Sequence, residues 1–259
     1  MLAEVLNQQL VTSNHFTVSA LVIIPTYNER ENAEAIIRAV FALPEPLHVL
    51  IVDDGSPDGT AQIVRDLQPE FKDRLHLLER RGKLGLGTAY IAGFRWGLER
   101  DYDYFFEMDA DFSHNPTDLL RLLAKCRDEG ADAAVGSRYC PGGKVQNWPK
   151  DRIFLSYGAS LYTRCILWMP VSDPTAGFIC YRRKVLETMD LSKIRFIGYA
   201  FQIEMKYAAY SLGFKVHEVP ITFKDREKGQ SKMSLHIIRE AMLGVIQIRW
   251  KGMMGGWRK

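Results

Sequence analysis

The strongest constraint in this chain is an alternation of two hydrophobic periods. Short apolar runs at residues 18–24, 47–52, 75–78 and 102–108 are separated by stretches with helical spacing at 30–41, at 61–67 and up to about residue 98. In the first helical stretch Ala33, Ile36, Ile37 and Val40 share one face. Strand, helix, strand, helix at this interval predicts an α/β fold, a mostly parallel sheet covered by helices on both faces. Later runs at 131–135, 178–181 and 215–219 read as further strands, and 199–212 as a helix. Such sheets bind ligands beyond the carboxyl ends of their strands. Three polar strings, residues 25–29, 53–59 and 109–114, fall at those ends.

The glycines exclude two common ligand cradles. A dinucleotide fingerprint needs three glycines between first strand and first helix, where this chain has Pro25-Thr26-Tyr27-Asn28-Glu29. Gly82, Gly85, Gly87 and Gly93 stand elsewhere and at other intervals, and no Gly-Lys-Ser/Thr string marks a P-loop. The 259 residues, 47% hydrophobic and 25% charged, suffice for one large core. A net charge of +3 is too mild to argue for nucleic acid but suits an anionic ligand or surface. Cys126, Cys140, Cys165 and Cys180 show no Cys-x-x-Cys spacing, which points to neither zinc nor a disulfide framework. No signal peptide is expected, and no run of roughly 18 apolar residues reads as a transmembrane helix.

The chemistry concentrates where the run at 102–108 ends. It delivers Asp109 and Asp111, one residue apart, before the pattern breaks at Asn115-Pro116. On an extended exit both point to one side, and two converging carboxylates repel unless a cation lies between them. Hard ions such as Mg²⁺ or Mn²⁺ prefer such oxygen ligands. An isolated pair reads more readily as a solvated turn. Together with the other two strings it outlines a nucleotide site built from side chains. Tyr27 can stack on a base, Glu29 and Asp53 can accept hydrogen bonds from base or ribose, and Asp111 can reach a diphosphate through a metal. Asp53 and Asp54 have a second reading as caps of the following helix, and Glu29 as a complement to a helix dipole.

The strings Ile24-Pro25-Thr26-Tyr27-Asn28-Glu29-Arg30-Glu31-Asn32, Val52-Asp53-Asp54-Gly55-Ser56-Pro57-Asp58-Gly59-Thr60, Gly85-Leu86-Gly87-Thr88-Ala89-Tyr90, Met108-Asp109-Ala110-Asp111 and Gly136-Ser137-Arg138-Tyr139 occur in that order. Together they resemble the family 2 glycosyltransferases of GT-A fold, and within them the dolichol-phosphate or polyprenol-phosphate mannosyltransferases, from about residue 20 to about 235. The resemblance implies transfer of mannose from GDP-mannose to a polyprenyl phosphate with inversion at the anomeric carbon. It implies a nucleoside pocket of Pro25, Tyr27, Glu29, Ile51 and Asp53. Asp109 and Asp111 would handle metal and diphosphate, with Ala110 lending backbone and Ser113 in the place of a third metal contact. Arg138, Arg226 and Lys232 match phosphate-binding positions, and Arg152 and Ser156 lie toward the acceptor phosphate. Asp173, Thr175 and Gly177 match a segment on the sugar side. His114 reads either as a substitute ligand or as a surface or capping residue, and Glu204 as facing the sugar or an internal Arg. A phosphate acceptor is already anionic, so the reaction needs positioning cations more than a base. Asp111, Arg138, Arg152 and Lys232 are therefore the expected catalytic set.

The implied acceptor lives in a membrane, and two segments could reach one. Residues 153–171 mix Ile153, Phe154, Leu155, Leu161, Ile166, Leu167, Trp168 and Met169 with Arg164. Residues 234–250 place Leu235, Ile238, Ala241, Met242, Val245 and Ile246 on one helical face, followed by a basic and aromatic tail from Trp250 to Lys259. The expected organisation is a leader at 1–16, a GT-A domain at 17–233 and a C-terminal amphipathic helix and tail at 234–259. Peripheral attachment to the cytoplasmic face of the membrane follows, with a separate membrane-anchoring subunit as a possible partner, since members of the family carry such anchors. Another donor such as UDP-glucose, or a catalytically silent nucleotide-sugar-binding subunit, are the competing readings.

Overall fold

The computed structural model describes residues 19–225 and 235–259. In chain order its elements are β1 (Ala20–Thr26), α1 (Ala33–Phe41), β2 (His48–Asp53), α2 (Thr60–Phe71), β3 (Leu75–Glu79), α3 (Leu86–Leu98), β4 (Tyr104–Glu107) and α4 (Asp118–Arg127). They continue with β5 (Ala133–Ser137), β6 (Lys144–Gln146), α5 (Lys150–Leu167), β7 (Ile179–Arg182), α6 (Arg183–Thr188), α7 (Tyr199–Ser211), β8 (Val216–Pro220), β9 (Thr222–Lys224) and α8 (Leu235–Met253). The expected leader at 1–16, together with Arg226 and Lys232, lies outside the described residues.

Seven strands form the main sheet in the order β3-β2-β1-β4-β7-β5-β8, and β6 and β9 form a two-stranded ribbon. Alternate residues feed opposite cores, because side chains of a strand alternate in direction. Leu21 and Ile23 pack beneath α3, α7 and α8 with Tyr90, Phe94, Phe201 and Val245. Val22 and Ile24 pack beneath α1, α2 and α4 with Ile36, Val64 and Leu122. Helix α3 lies close to the sheet, since a Cβ at Gly93 would fall 2.6 Å from Ile23 and one at Gly97 2.5 Å from Phe105.

The structure adds to the sequence reading, or departs from it, at several places. Strand β7 runs antiparallel between β4 and β5, pairing Phe106 with Cys180 and Ala134 with Cys180. The chain reaches it through a long excursion that includes α5, and an antiparallel neighbour needs no crossover helix across the sheet. Helix α4 is an additional element, with Leu119, Leu122, Leu123 and Cys126 buried at helical spacing. The face expected on the last helix is divided: Val245 is buried, whereas Met242 and Ile246 are exposed.

The tail is likewise only partly outward. Trp257 is buried against Tyr207 with ring centroids 5.9 Å apart. Its Nε1 donates to Glu204 at 3.0 Å, and Lys251 Nζ donates to the same carboxylate at 2.7 Å. Glu204 also accepts from the backbone of Arg195 and Phe196, so it faces neither a sugar nor an Arg guanidinium. It is the buried anchor of the C-terminal tail. Removing one partner of a buried pair leaves an uncompensated charge, at a cost of about 3–5 kcal/mol. Glu204→Ala is therefore expected to lower the unfolding free energy in urea by that amount, with a red shift of tryptophan emission as Trp257 is released.

At the amino ends of the strands His48 Nδ1 and His76 Nε2 both meet the Tyr102 hydroxyl, at 2.9 and 3.3 Å. Burial, then the Arg74 charge, holds His48 below the usual 6.5; burial, then His48 and Arg100, does the same for His76. The folded protein thus refuses protons that the unfolded chain accepts. This contribution to stability is complete above pH 6.5 and is lost as pH falls below it. The urea midpoint should drop between pH 7 and pH 5, and drop less in His48→Asn/His76→Gln, whose neutral amides stand in for the two ring nitrogens.

Candidate active site

The carboxyl ends of β1 and β2 carry the first part of the site. Asn28 adopts a left-handed backbone with φ 60°. Its N–H donates to Ser56 Oγ at 2.9 Å, and that hydroxyl donates onward to Asp53 Oδ2 at 2.6 Å. Thr26 Oγ1 donates to the same oxygen at 2.9 Å, and the Ser56 N–H to Asp53 Oδ1 at 2.9 Å. Asp53 is buried, and it knits the two loops together. Asp54 turns the other way, to Arg80 Nε at 2.7 Å and the Leu84 N–H at 3.2 Å. Neither caps α2, whose first turn is held by Asp58 Oδ1 accepting from Thr60.

The turn projects Tyr27 outward, with the Lys83 ammonium 4.7 Å from its ring centroid. Pro25 is half-buried below it, and Glu29 accepts from Asn32 Nδ2 at 2.9 Å. Ile51 is not brought to this surface: its side chain is wholly inside the core between β2 and the α1 layer. Lys83 was missed by the sequence reading, though the basic string Arg80-Arg81-Gly82-Lys83 after β3 carried the signal.

Strand β4 stops at Glu107, so an extended backbone does not carry through to Asp109 and Asp111. Asp109 is half-buried, 3.5 Å from the Tyr90 hydroxyl, and Ala110 is buried between the two acids. Burial and then the negative charge of Asp109 and Glu107 push the Tyr90 phenol well above its ordinary value. Asp111 Oδ1 accepts from the Ser113 N–H at 3.0 Å and from the Ser113 hydroxyl. Ser113 thus orients Asp111, while Phe112 takes the left-handed conformation at φ 58°. His114 is buried and stacked on Phe178 at 4.7 Å, so it is not a surface residue.

Among the described residues no group of three or more His, Cys, Asp or Glu forms a metal cage. Two half-buried carboxylates on one short loop nevertheless fit a Mg²⁺ or Mn²⁺ ion that would complete its shell from phosphate oxygens and water, the usual manner for these ions. A cavity of about 700 Å³ opens beside Asp111, lined also by Asn32, Ser113, Lys144, Lys224 and Asp225. It touches neither Asp109 nor Arg138.

The second part of the site follows β5. Arg138 donates from Nε to Asp173 Oδ2 at 2.6 Å, from Nη2 to Asp173 Oδ1 at 2.7 Å and to Thr175 Oγ1 at 2.7 Å. Burial pulls the Asp173 carboxyl upward, but the charge and hydrogen bonds of Arg138 outweigh it and hold it below the usual range. Arg138 also lies 5.6 Å from the Trp148 ring centroid, and Arg152 lies 4.0 Å from the same ring. Trp148 therefore gathers two guanidinium groups. Arg152 is paired with Asp225 at 2.8 Å, and Ser156, one turn on, accepts from the Tyr139 hydroxyl at 2.8 Å.

An apolar surface begins where Arg152 enters α5. Phe154 is 82% exposed, Trp168 75%, Trp250 67% and Met254 81%, with Leu155, Tyr157, Leu161, Leu243 and Ile246 also exposed. The two helices that carry it are locked together. Arg249 Nη1 donates to the Leu167 carbonyl at 3.1 Å and to the Tyr207 hydroxyl at 2.8 Å, and the Tyr162 hydroxyl donates to the Met242 carbonyl at 3.1 Å. Among the described residues no helix is long and apolar enough to cross a membrane.

Comparison with known proteins adds the family. Residues 21–190 match glycosyl transferase family 2. The chain is 52% identical over 231 residues to the polyprenol monophosphomannose synthase of Mycolicibacterium smegmatis, covering 89% of this chain and 87% of that one. It is 48% identical over 238 residues to the undecaprenyl-phosphate mannosyltransferase of Micrococcus luteus, covering 90% and 96%. A similar solved structure is glucosyl-3-phosphoglycerate synthase from Mycobacterium tuberculosis in complex with Mn²⁺, uridine diphosphate and phosphoglyceric acid. Its TM-score is 0.64 at 16% identity, over 90% of this chain and 78% of that one, and this likeness speaks to the fold alone. Sheet order, strand-end loops and these relatives agree: the chain belongs to glycosyl transferase family 2 and is a glycosyltransferase of GT-A fold.

Proposed function

We propose that this chain transfers mannose from GDP-mannose to polyprenyl phosphate with inversion, giving polyprenyl-phosphate mannose and GDP, while bound peripherally to the cytoplasmic face of a membrane. The observation that carries this reading is the continuity between two guanidinium groups gathered on one indole and an exposed apolar surface. Arg138 and Arg152 meet at Trp148, and Arg152 stands in the first turn of the helix that exposes Phe154, Leu155, Tyr157 and Leu161. A phosphate carrying a long hydrocarbon matches both halves. The two relatives, named for polyprenol and undecaprenyl-phosphate acceptors, support the same acceptor class.

On this reading Tyr27 stacks on the base, with Lys83 over the same ring as a further contact. Glu29 and the loop braced by Asp53 receive the nucleoside, and Asp109 and Asp111 hold a divalent cation. That cation, when bound, supplies charge neutralisation for the departing GDP. The acceptor phosphate is anionic at neutral pH and attacks the anomeric carbon from the face opposite the leaving group, so no carboxylate base is required. Arg152, with Ser156 one turn on, orients it, and Arg138, whose Nε–Nη2 edge is taken by Asp173, orients it with its remaining N–H groups. Arg226 and Lys232, which lie outside the described residues, add positive charge to the same phosphates.

Transfer of labelled sugar from GDP-mannose and from UDP-glucose to a short polyprenyl phosphate tests the chemistry. Mannose transfer that requires Mg²⁺ or Mn²⁺, stops in chelator and falls on the order of 10²-fold or more in Asp111→Ala is the expected result, given that such charge stabilisation is worth several kcal/mol. Glucose transfer alone would overturn the donor; GDP-mannose binding without turnover would favour a silent subunit. Membrane attachment is tested by sedimentation with phosphatidylglycerol vesicles. The wild-type chain should pellet, and Phe154→Glu/Trp250→Glu/Met254→Glu should stay in the supernatant yet still use a water-soluble acceptor. Each apolar side chain withdrawn from contact costs about 1.5–3 kcal/mol.

A further inference from the structure

One buried polar feature is used neither by the nucleotide loops nor by the apolar surface. Helix α7 carries Gln202 and Lys206, four residues apart and hence on one face. Both are buried, Lys206 at 1% exposure. Gln202 Nε2 donates to Glu107 Oε2, at the last residue of β4 and two residues before Asp109. Lys206 Nζ donates to the Ala176 carbonyl at 2.5 Å and to the Gln202 carbonyl at 3.0 Å, and lies 3.4 Å from Gln202 Oε1. Ala176 belongs to the segment whose Asp173 and Thr175 grip Arg138. The other end of that segment is held by Glu218, which accepts from the Ser172 and Asp173 N–H groups at 2.9 and 3.0 Å.

We infer that Gln202 and Lys206 are positioning residues, a buried strut on α7 that holds the Arg138 segment and the Asp109–Asp111 loop at one fixed separation. The inference rests on the reading of Arg138 as a phosphate-orienting residue in the proposed transfer. Two catalytic parts on different loops must be held within a fraction of an ångström to act together, and packed second contacts provide that restraint. An apolar pair would fill the same space without desolvating an ammonium. Burial pushes the Lys206 amine below its usual value, against the pull of Glu107 and Asp173. What Lys206 has in return is a hold on the Ala176 carbonyl, beyond the reach of any aliphatic side chain.

The test compares Lys206→Met and Gln202→Met, which keep volume and remove the hydrogen bonds, with Leu186→Ala, a buried truncation on α6 that reports the effect of lost stability alone. For each, thermal unfolding, calorimetric binding of GDP with Mn²⁺, calorimetric binding of citronellyl phosphate, and kcat and KM with GDP-mannose are measured. Folded strut variants should bind GDP with Mn²⁺ within threefold of wild type. They should bind citronellyl phosphate at least tenfold more weakly and turn over at least thirtyfold more slowly, whereas Leu186→Ala keeps both. Citronellyl phosphate affinity and kcat within threefold of wild type in a folded strut variant would overturn the inference. If Lys206→Met does not fold, Gln202→Met decides on the same numbers. If the wild-type chain binds citronellyl phosphate but does not use GDP-mannose, the function reading fails, and the phosphate affinities still decide the strut. A wild-type chain that does not bind citronellyl phosphate overturns both.

Discussion

A sheet covered on both faces can expose polar chemistry only at its ends, and the rest of this structure depends on that constraint. β1, β2 and β4 are packed above and below by two separate apolar cores. Their backbone groups are spent on neighbouring strands, leaving the loops beyond Thr26, Asp53 and Glu107 as the places where side chains can gather around a ligand. The opposite ends carry the His48–Tyr102–His76 cluster, which serves packing and hydrogen bonding.

Loops placed this way are not rigid by themselves. Buried polar contacts between loops make them so. Thr26, Ser56 and Asp53 join the first two loops, Arg80 and Asp54 join the second to the third, and Asp173 fixes Arg138 after β5. Each is a hydrogen bond to a charged group, worth about 1.5–3 kcal/mol where partly dry. The acids in these motifs therefore divide: Asp109 and Asp111 stay half-buried at the loop surface, and Asp53, Asp54 and Asp173 hold the frame around them. Glu204 extends the same device to the C-terminal tail, tying the helix that carries much of the exposed apolar surface to the core beside α7.

Much of this was legible in the sequence because hydrophobic period and strand-end punctuation are local signals. The first four strands, the helices between them and the three polar strings follow from spacing alone, and the order of the strings carries the family. The inserted antiparallel β7 was not legible, since pairing direction depends on a path of about forty residues that no local period reports. Helix α4 is legible in the spacing of Leu119, Leu122, Leu123 and Cys126. Glu204 could not be assigned from its own neighbourhood, because its partners Lys251 and Trp257 lie some fifty residues away in the chain.

The sequence by itself determined the class of fold, the loops that bear the chemistry and the residue types available there, because period, punctuation and charge are properties of neighbouring residues. The tertiary structure alone decided which acids are spent as braces, and that Ile51 is core and Trp257 is buried. It also decided that Arg138 and Arg152 meet at one indole. Those outcomes depend on which distant segments pack together, and burial and electrostatic pairing exist only once they do.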